Sequence, residues 1–370
     1  MKVMTILGTR PEIIRLARVM ARLDATPGVE HIIVHTGQNY DYELNQVFFD
    51  DLAVRKPDHF LECDTSSIGH VYGDILIKSE QVLLEEKPDA VLILGDTNSA
   101  IAAIIARRLH IPVFHMEAGN RSFDWRVPEE TNRRIVDHIS DVNLVYTEHA
   151  RANLMREGLH PQRVYLTGSP MFEVLEHYRP QIEASDVLER EGLTAGKFVI
   201  VSLHREENVD NAERLGLLLE GLGRLSKERD LDILVSTHPR TRKRLEEFGL
   251  LDRGGDRVIF SKPFGFHDYN KLQMTAACAI SDSGTISEES SMLGFPAVTP
   301  RDWIERPEAL DTGSIIMTGL EPEVVLRGVE YAIDFGAPEG IPDEYQIANC
   351  SDRVVRVIIG RSRALRETQR

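Results

Sequence analysis

Cysteine is scarce in this 370-residue chain: Cys63, Cys278 and Cys350 are odd in number and far apart. They have no spacing suited to a zinc site or a disulfide framework, and so few thiols fit a reducing, cytoplasmic setting. Long apolar runs are also missing, because charges interrupt each one before it reaches the length of a bilayer span. The N-terminus has one early base, Lys2, and its apolar run stops at Gly8, with Arg10 and Glu12 just after. That pattern reads as the first strand of a folded domain, not a signal peptide. Positive charge is in deficit, with 43 Lys and Arg against 59 Asp and Glu and a formal net charge of −16. Such a balance repels a nucleic-acid backbone unless a separate basic face exists. The densest basic stretch, Arg240-Thr241-Arg242-Lys243-Arg244, would fan its charges around a helix. A small anionic ligand remains compatible, because a local cluster can be positive on an acidic protein. No G-x-G-x-x-G follows the first strand, so a nicotinamide dinucleotide is not indicated.

What is present is ordinary in amount and regular in order. Hydrophobic residues make up 42% and charged residues 28%, the balance of a soluble globular protein. The length suits two domains of roughly 150–200 residues. Short apolar runs alternate with amphipathic segments. Strands are expected over Met1–Leu7, Ala90–Leu94, Val113–Met116, Val142–Val145 and Val164–Leu166. The scheme restarts with Phe198–Leu203, Ile233–Ser236, Val258–Phe260, Ala279–Ser281 and Ala297–Val298. Helices are expected over Pro11–Leu23, Ser99–Leu109, Met171–Tyr178 and Asp352–Arg366. This alternation implies an α/β fold of parallel sheets covered on both faces. The break falls between Thr167 and Lys197, with the polar stretch Arg179–Gly196 as a connector. The expected division is 1–170, 171–350 and a final helix, 351–370, crossing back to the first domain. Two Rossmann-like, doubly wound domains facing a cleft would result, with ligands beyond the carboxyl ends of the strands.

Polar residues are dense at those ends. Gly8-Thr9-Arg10-Pro11-Glu12 follows the first strand, with Arg15 a turn on. Pro11 suits a first helical turn, and Arg10 and Arg15 could flank a helix start that seats phosphate. Two surface arginines beside a capped helix would look the same. Asp96 follows a wholly apolar strand, and Glu117 and Glu129 lie in His115–Arg121 and Pro128–Arg133. Each acid alone would ordinarily be a cap or an ion-pair partner. Their recurrence at successive strand ends favours function. In the second half, His204-Arg205-Glu206-Glu207-Asn208 and His238-Pro239-Arg240 follow strands. Ser281–Glu289 forms a strand-to-helix turn where backbone N–H groups, Ser283 and the small Gly284 could hold a diphosphate. Glu289 is placed to accept ribose hydroxyls. An N-cap followed by early acids is the structural alternative for that turn.

Seven motifs in order resemble the non-hydrolysing UDP-N-acetylglucosamine 2-epimerase family over nearly the whole chain. They are G-T-R-P-E (Gly8–Glu12), G-D (Gly95, Asp96), H-x-E-A-G-x-R (His115–Arg121), P-E-E-x-N-R (Pro128–Arg133), H-R-x-E-N (His204–Asn208), D-S-G-x-I-x-E-E (Asp282–Glu289) and E-R-P-E-A (Glu305–Ala309). The resemblance implies two Rossmann-like domains of the glycosyltransferase-B type, no metal, no cofactor, and a homodimer. It implies that Arg10, His204, Ser283 and Glu289 hold the UDP portion of a UDP-sugar. Asp96, Glu117 and Glu129 match catalytic carboxylates, with Arg133 and His204 as supporting groups near the phosphates. Arg15 stands where the glucosamine branch has lysine, keeping the charge and changing its geometry. The stretches Asn120–Pro128 and Gly168–Glu173 also depart from that branch. They resemble a capsule and O-antigen branch acting on UDP-2-acetamido-2,6-dideoxy-L-talose to give UDP-N-acetyl-L-fucosamine. Gln38 and His238 fall in the regions of the glucosamine branch's second, allosteric site, but Asp41 replaces a glutamine there, which argues against that regulation.

Overall fold

The first strand is held between two others rather than at an edge, and this sets the architecture of its half of the chain. The protein is described by a computed structural model covering residues 1–37, 51–337 and 340–369. Gln38 and Asp41 therefore lie outside the described residues. Thirteen strands are described: β1 (Lys2–Leu7), β2 (Glu30–His35), β3 (His59–Phe60), β4 (Ala90–Leu94), β5 (Val113–Met116), β6 (Val142–Val145), β7 (Val164–Leu166), β8 (Phe198–Ser202), β9 (Asp232–Ser236), β10 (Val258–Ser261), β11 (Cys278–Ser281), β12 (Ala297–Thr299) and β13 (Ile316–Met317). They form a sheet of order β3-β2-β1-β4-β5-β6-β7 and another of order β10-β9-β8-β11-β12-β13. All pairings are parallel. Both orders step outward from the first strand in one direction, then reverse, which is the doubly wound arrangement.

The chain divides into one unit of Met1–His177 with Asp343–Arg370, and a second of Tyr178–Pro342. In the first unit every residue of β4 is buried, as its unbroken apolar run requires when helices cover both faces. Ile13, Leu16, Val19, Met20 and Leu23 form the buried stripe of helix Arg10–Asp24. Each such side chain contributes about 1.5–3 kcal/mol. The last helix, Cys350–Gln369, packs on that same helix through buried Val354, Val355 and Ile358. Arg22 reaches Asp352 at 2.6 Å, and the Ser351 amide donates to Glu173 at 2.8 Å. Gly168 leaves room for this return, since a Cβ there would lie 2.7 Å from Ile347.

Several expectations need correction. Strands β2, β3 and β13 escaped notice, two of them being only two residues long. The polar stretch expected as a connector is largely helical: Pro170–Ala184 runs on past Pro180, anchored by buried Tyr178 and Ile182, and Val187–Arg190 adds a turn. The expected helix Ser99–Leu109 opens as a 3₁₀ turn, Asn98–Ile101, before its α-helical part Ala102–Arg108. The basic run lies on helix Pro239–Glu247, with Arg240 and Arg244 paired to Asp210 and Arg242 to Glu246. No described helix is long and apolar enough to cross a membrane.

Candidate functional site

Sheet order decides which loops meet. In the first unit β1 and β4 are neighbours whose following chains diverge to opposite sides, so the turns after them flank the switch point, the usual ligand position in such sheets. These turns carry Gly8–Glu12 and Gly95–Asn98. A side chain at Gly8 would have to displace its neighbours, because a Cβ would lie 2.0 Å from Thr36 Oγ1 and 2.3 Å from Ser99 Oγ. Arg10 opens the helix directly after it. Glu12, three residues into the helix region, turns back to accept from the Gly8 amide at 3.0 Å and the Thr9 hydroxyl at 2.8 Å. This is a variant of the capping box, fixing the turn that presents Arg10. Burial pushes the Glu12 carboxyl up to about 7 against those hydrogen bonds.

The acids at this end are held by arginines. Arg133 places Nε at 2.9 Å and Nη2 at 2.5 Å from Asp96 Oδ2. Its Nη1 reaches Glu130 at 3.0 Å. Asn132 donates to the Asp96 carbonyl at 2.9 Å. Arg15 forms a buried ion pair with Glu117. The Glu117 backbone has φ +62, a region that L residues rarely adopt, held between the positive-φ glycines Gly95 and Gly119. A Cβ on Gly95 would lie 3.9 Å from the Glu117 carboxylate, so the Glu117 side chain lies against the turn that carries Asp96. Asp96, Glu117, Arg15 and Arg133 are thus brought together. Glu129 is exposed at the first position of helix Glu129–Ile139 and does not share this network. Its neighbour Glu130 is wholly buried and binds Ser122, Arg133 and Arg134.

Beneath these groups lies a charged layer that sequence reading missed. His115 Nε2 is 2.8 Å from the Gly95 carbonyl, and its Nδ1 is 3.0 Å from Asp137 Oδ1. The Gly119 amide donates to both Asp137 oxygens at 3.2 Å, and Arg121 Nη1 donates to one at 2.7 Å. Arg121 also grips Glu157 through Nε at 2.9 Å and Nη2 at 2.6 Å. Burial alone would raise the Asp137 carboxyl, but His115 and Arg121 outweigh it and hold it below the usual carboxylate range.

In the second unit β8 and β11 mark the equivalent switch point, and the turns after them carry His204 and Ser283. Asp282 is fully buried and accepts from the amides of His204 and Arg205, each at 3.0 Å, and from Asn208 Nδ2 at 2.9 Å. His204 Nδ1 lies 2.9 Å from Asp282 Oδ1 with the imidazole 43% exposed, so Nε2 is the nitrogen left to meet a ligand. Burial opposes the Asp282 charge, yet His204 and the backbone amides keep its carboxyl below the ordinary range. His238 Nδ1 accepts from the Arg240 amide, capping its own helix, with its ring 6.2 Å from that of His204. Ser283 Oγ lies 2.9 Å from Thr285 Oγ1 and accepts from the Thr285 amide at 3.3 Å, shaping the entry to helix Ile286–Leu293. Gly284 gives its carbonyl to Arg306 at 2.7 Å; a Cβ there would lie 3.0 Å from that guanidinium. Arg306 also lies 3.1 Å from buried Glu288, tying the E-R-P-E-A segment to this turn. Glu289, nearly buried, accepts from Gln273 at 2.8 Å.

The residues missed by sequence, Asp137, Glu130, Asp282, Gln273 and Arg306, hold the expected ones in place. One signal was available: Glu130, Arg133 and Asp137 are spaced i, i+3, i+7, a polar face on a helix that must bury it. Among the described residues no group of three or more His, Cys, Asp or Glu could hold a metal ion.

Two doubly wound units, each with charged groups gathered at its sheet reversal, are the build of nucleotide-handling α/β enzymes. Comparison with known proteins narrows this. The family profile described as UDP-N-acetylglucosamine 2-epimerase matches residues 21–359, and the chain belongs to that family. It is similar to a solved structure titled UDP-N-acetylglucosamine 2-epimerase from Rickettsia bellii, at 46% identity and TM-score 0.90, covering 100% of this chain and 98% of that one. The Methanocaldococcus jannaschii UDP-GlcNAc 2-epimerase, solved in complex with UDP-GlcNAc and UDP, is 35% identical with TM-score 0.90, covering 97% and 100%. A UDP-2,3-diacetamido-2,3-dideoxy-D-glucuronate 2-epimerase of Pseudomonas aeruginosa is 32% identical over 90% of this chain and 92% of its own.

Proposed function

We propose that this enzyme inverts carbon 2 of a UDP-linked N-acetylamino sugar, without hydrolysis, by eliminating UDP and adding it back. The observation that carries the reading is the content of the two switch points: arginine-held carboxylates at one, an aspartate-oriented histidine beside a helix start at the other. Carbon 2 of such a sugar has no adjacent carbonyl to acidify its hydrogen. When the bond from carbon 1 to the diphosphate oxygen breaks, UDP takes the electron pair and the ring becomes electron-poor. A base can then remove the carbon 2 proton, leaving a glycal and UDP. Protonation of carbon 2 on the opposite face and attack of the UDP oxygen on carbon 1 complete the inversion. Atoms and electrons balance, and no metal or nicotinamide takes part.

In this scheme Arg10, Arg15, His204 and the Ser283-Gly284 turn take the departing diphosphate, preorganised donors for charge that develops as the bond breaks. Glu289 accepts the ribose hydroxyls. Asp96 and Glu117 move the proton, with Glu129 as partner or relay, and Arg133 orients Asp96. Turnover in heavy water tests the mechanism: product without deuterium at carbon 2 rejects it.

For the sugar, the Asn120–Pro128 segment supports UDP-2-acetamido-2,6-dideoxy-L-talose, giving UDP-N-acetyl-L-fucosamine for capsule or O-antigen lipopolysaccharide. The similarity to the R. bellii and M. jannaschii UDP-N-acetylglucosamine 2-epimerases supports UDP-N-acetylglucosamine as the second reading. Product NMR with each substrate offered separately decides, the higher kcat/KM naming the sugar. A cytoplasmic homodimer is the assembly the family resemblance supports, tested by sedimentation.

A further inference from the structure

One buried imidazole is linked to both carboxylate-bearing turns of the first unit, directly to the backbone of one and through Asp137 to the other. The β5 strand brings His115 up under the sheet end, where the ring is wholly inaccessible. Its Nε2 lies 2.8 Å from the carbonyl of Gly95, the residue before Asp96. Its Nδ1 lies 3.0 Å from Asp137, whose two oxygens take the Gly119 amide and so hold the turn that carries Glu117. Asp137 sits one turn beyond Arg133 on helix Glu129–Ile139, and Arg133 clamps Asp96. The Asp96 turn, the Glu117 turn and this helix are thereby fixed to one another by a single side-chain pair. The strained Glu117 backbone, at φ +62, needs such restraint, because relaxation of that residue alone would swing its carboxylate away.

We propose that His115 and Asp137 are positioning residues that set the spacing between Asp96 and Glu117 for proton transfer at carbon 2. This rests on the epimerase reading above. Neither group reaches solvent, so neither exchanges a proton with substrate. Their effect is geometric, and proton transfer is sensitive to displacements of a fraction of an ångström. Asp137 stays charged at neutral pH, since its partners depress its carboxyl despite burial, so the link holds throughout the working range.

Two near-isosteric replacements separate the two contacts. In His115→Gln the amide nitrogen takes the place of Nε2, keeping the contact to Gly95 and losing the one to Asp137. In His115→Asn the amide nitrogen takes the place of Nδ1, keeping Asp137 and losing Gly95. Asp137→Asn turns one acceptor into a donor facing Gly119 or Arg121. The wild type is assayed first with both UDP-sugars; absence of turnover there counts against the epimerase reading itself. Given turnover, His115→Asn and Asp137→Asn are expected to lose at least tenfold in kcat with KM and UDP affinity within about twofold, and His115→Gln to keep more activity than His115→Asn. Deuterium exchange at carbon 2 is expected to fall with kcat. Wild-type kcat in His115→Asn and Asp137→Asn, or a parallel loss in kcat and UDP affinity, overturns the proposal. If one variant does not fold, the other two still give the split between kcat and KM.

Discussion

Replacing Asp282 by asparagine tests the polar cluster of the second unit most directly. The aspartate serves four donors: the amides of His204 and Arg205, Asn208 Nδ2, and the His204 ring at 2.9 Å. Asparagine keeps one acceptor and turns the other into a donor. If that NH₂ faces the ring, it donates to Nδ1, which then cannot carry a proton, so the ring loses the carboxylate contact that orients it and can meet the diphosphate only as a neutral group. If it faces Arg205 and Asn208, two buried donors lose their acceptor. Each buried polar group left unsatisfied costs about 1–3 kcal/mol. For a unit of this size 1 kcal/mol moves Tm by about 2–4 °C, so a loss of about 2–12 °C per unsatisfied group is expected. Replacing the aspartate by asparagine in an Asp–His pair elsewhere, where the histidine is a general base, costs about 10⁴ in kcat. Here the ring is partly solvated and other donors share the work, so about 10²–10³ is expected. Steady-state kinetics on Asp282→Asn, His204→Ala and the double variant are the assay. The double variant should lose little beyond His204→Ala, because the two act as a unit. Asp282→Asn retaining kcat within about threefold would refute the claim that this carboxylate orients the histidine.

The other predictions concern the first unit. Glu12→Gln should stabilise the protein above neutral pH and not at acid pH. Because the folded carboxyl titrates at about 7, above its unfolded value of 4.5, folding binds a proton between those pH values. Wild-type stability therefore falls as pH rises from about 4.5 to 7, by up to about 3 kcal/mol, while the neutral amide escapes that loss. Thermal melts at pH 5 and pH 8 check this, and equal Tm differences at both would contradict it. Gly8→Ala should lose activity and about 1–3 kcal/mol of stability, since its Cβ has only the Thr36 and Ser99 hydroxyls to displace. Pairing it with Thr36→Gly should recover part of both, and no recovery would locate the damage elsewhere. Arg133→Lys removes the two-pronged hold on Asp96 while keeping the charge, and about a tenfold to hundredfold loss in kcat is expected. Unchanged kinetics would show that the fork is dispensable.

The sheets were legible because buried parallel strands announce themselves as short, mostly apolar runs: β4, β5, β6 and β7 begin and end where the pattern places them, with one polar residue each, His115 and Asn143, inside β5 and β6. Strand β2, Glu30-His31-Ile32-Ile33-Val34-His35, was hidden by its two histidines, of which His31 is buried by pairing with Asp24 and Thr5. The helix that overran the expected connector did so because Tyr178 and Ile182 find a core that a polar local composition does not reveal. Among site residues, adjacent acids were the difficulty. Sequence cannot phase Glu129 against Glu130 until the helix start is fixed, and the structure turns Glu130 inward. Asp282 falls inside the expected turn Ser281–Glu289 without a role of its own there, and its carboxylate serves a loop 78 positions earlier in the chain. That pairing is set by the adjacency of β8 and β11, which only the sheet order supplies.

The return of helix Cys350–Gln369 onto helix Arg10–Asp24 has a consequence for biosynthesis. The second unit is one continuous segment, whereas the first is interrupted by it. A nascent chain emerging from the ribosome thus presents every residue of the inserted unit before the helix that packs on Arg10–Asp24 exists. The earlier-made sheet must wait, partly uncovered, while its younger neighbour is free to fold. Nascent polypeptides halted before residue 343 should for that reason expose the face of Arg10–Asp24 to chaperones, a vulnerability that lasts until Cys350–Gln369 has emerged.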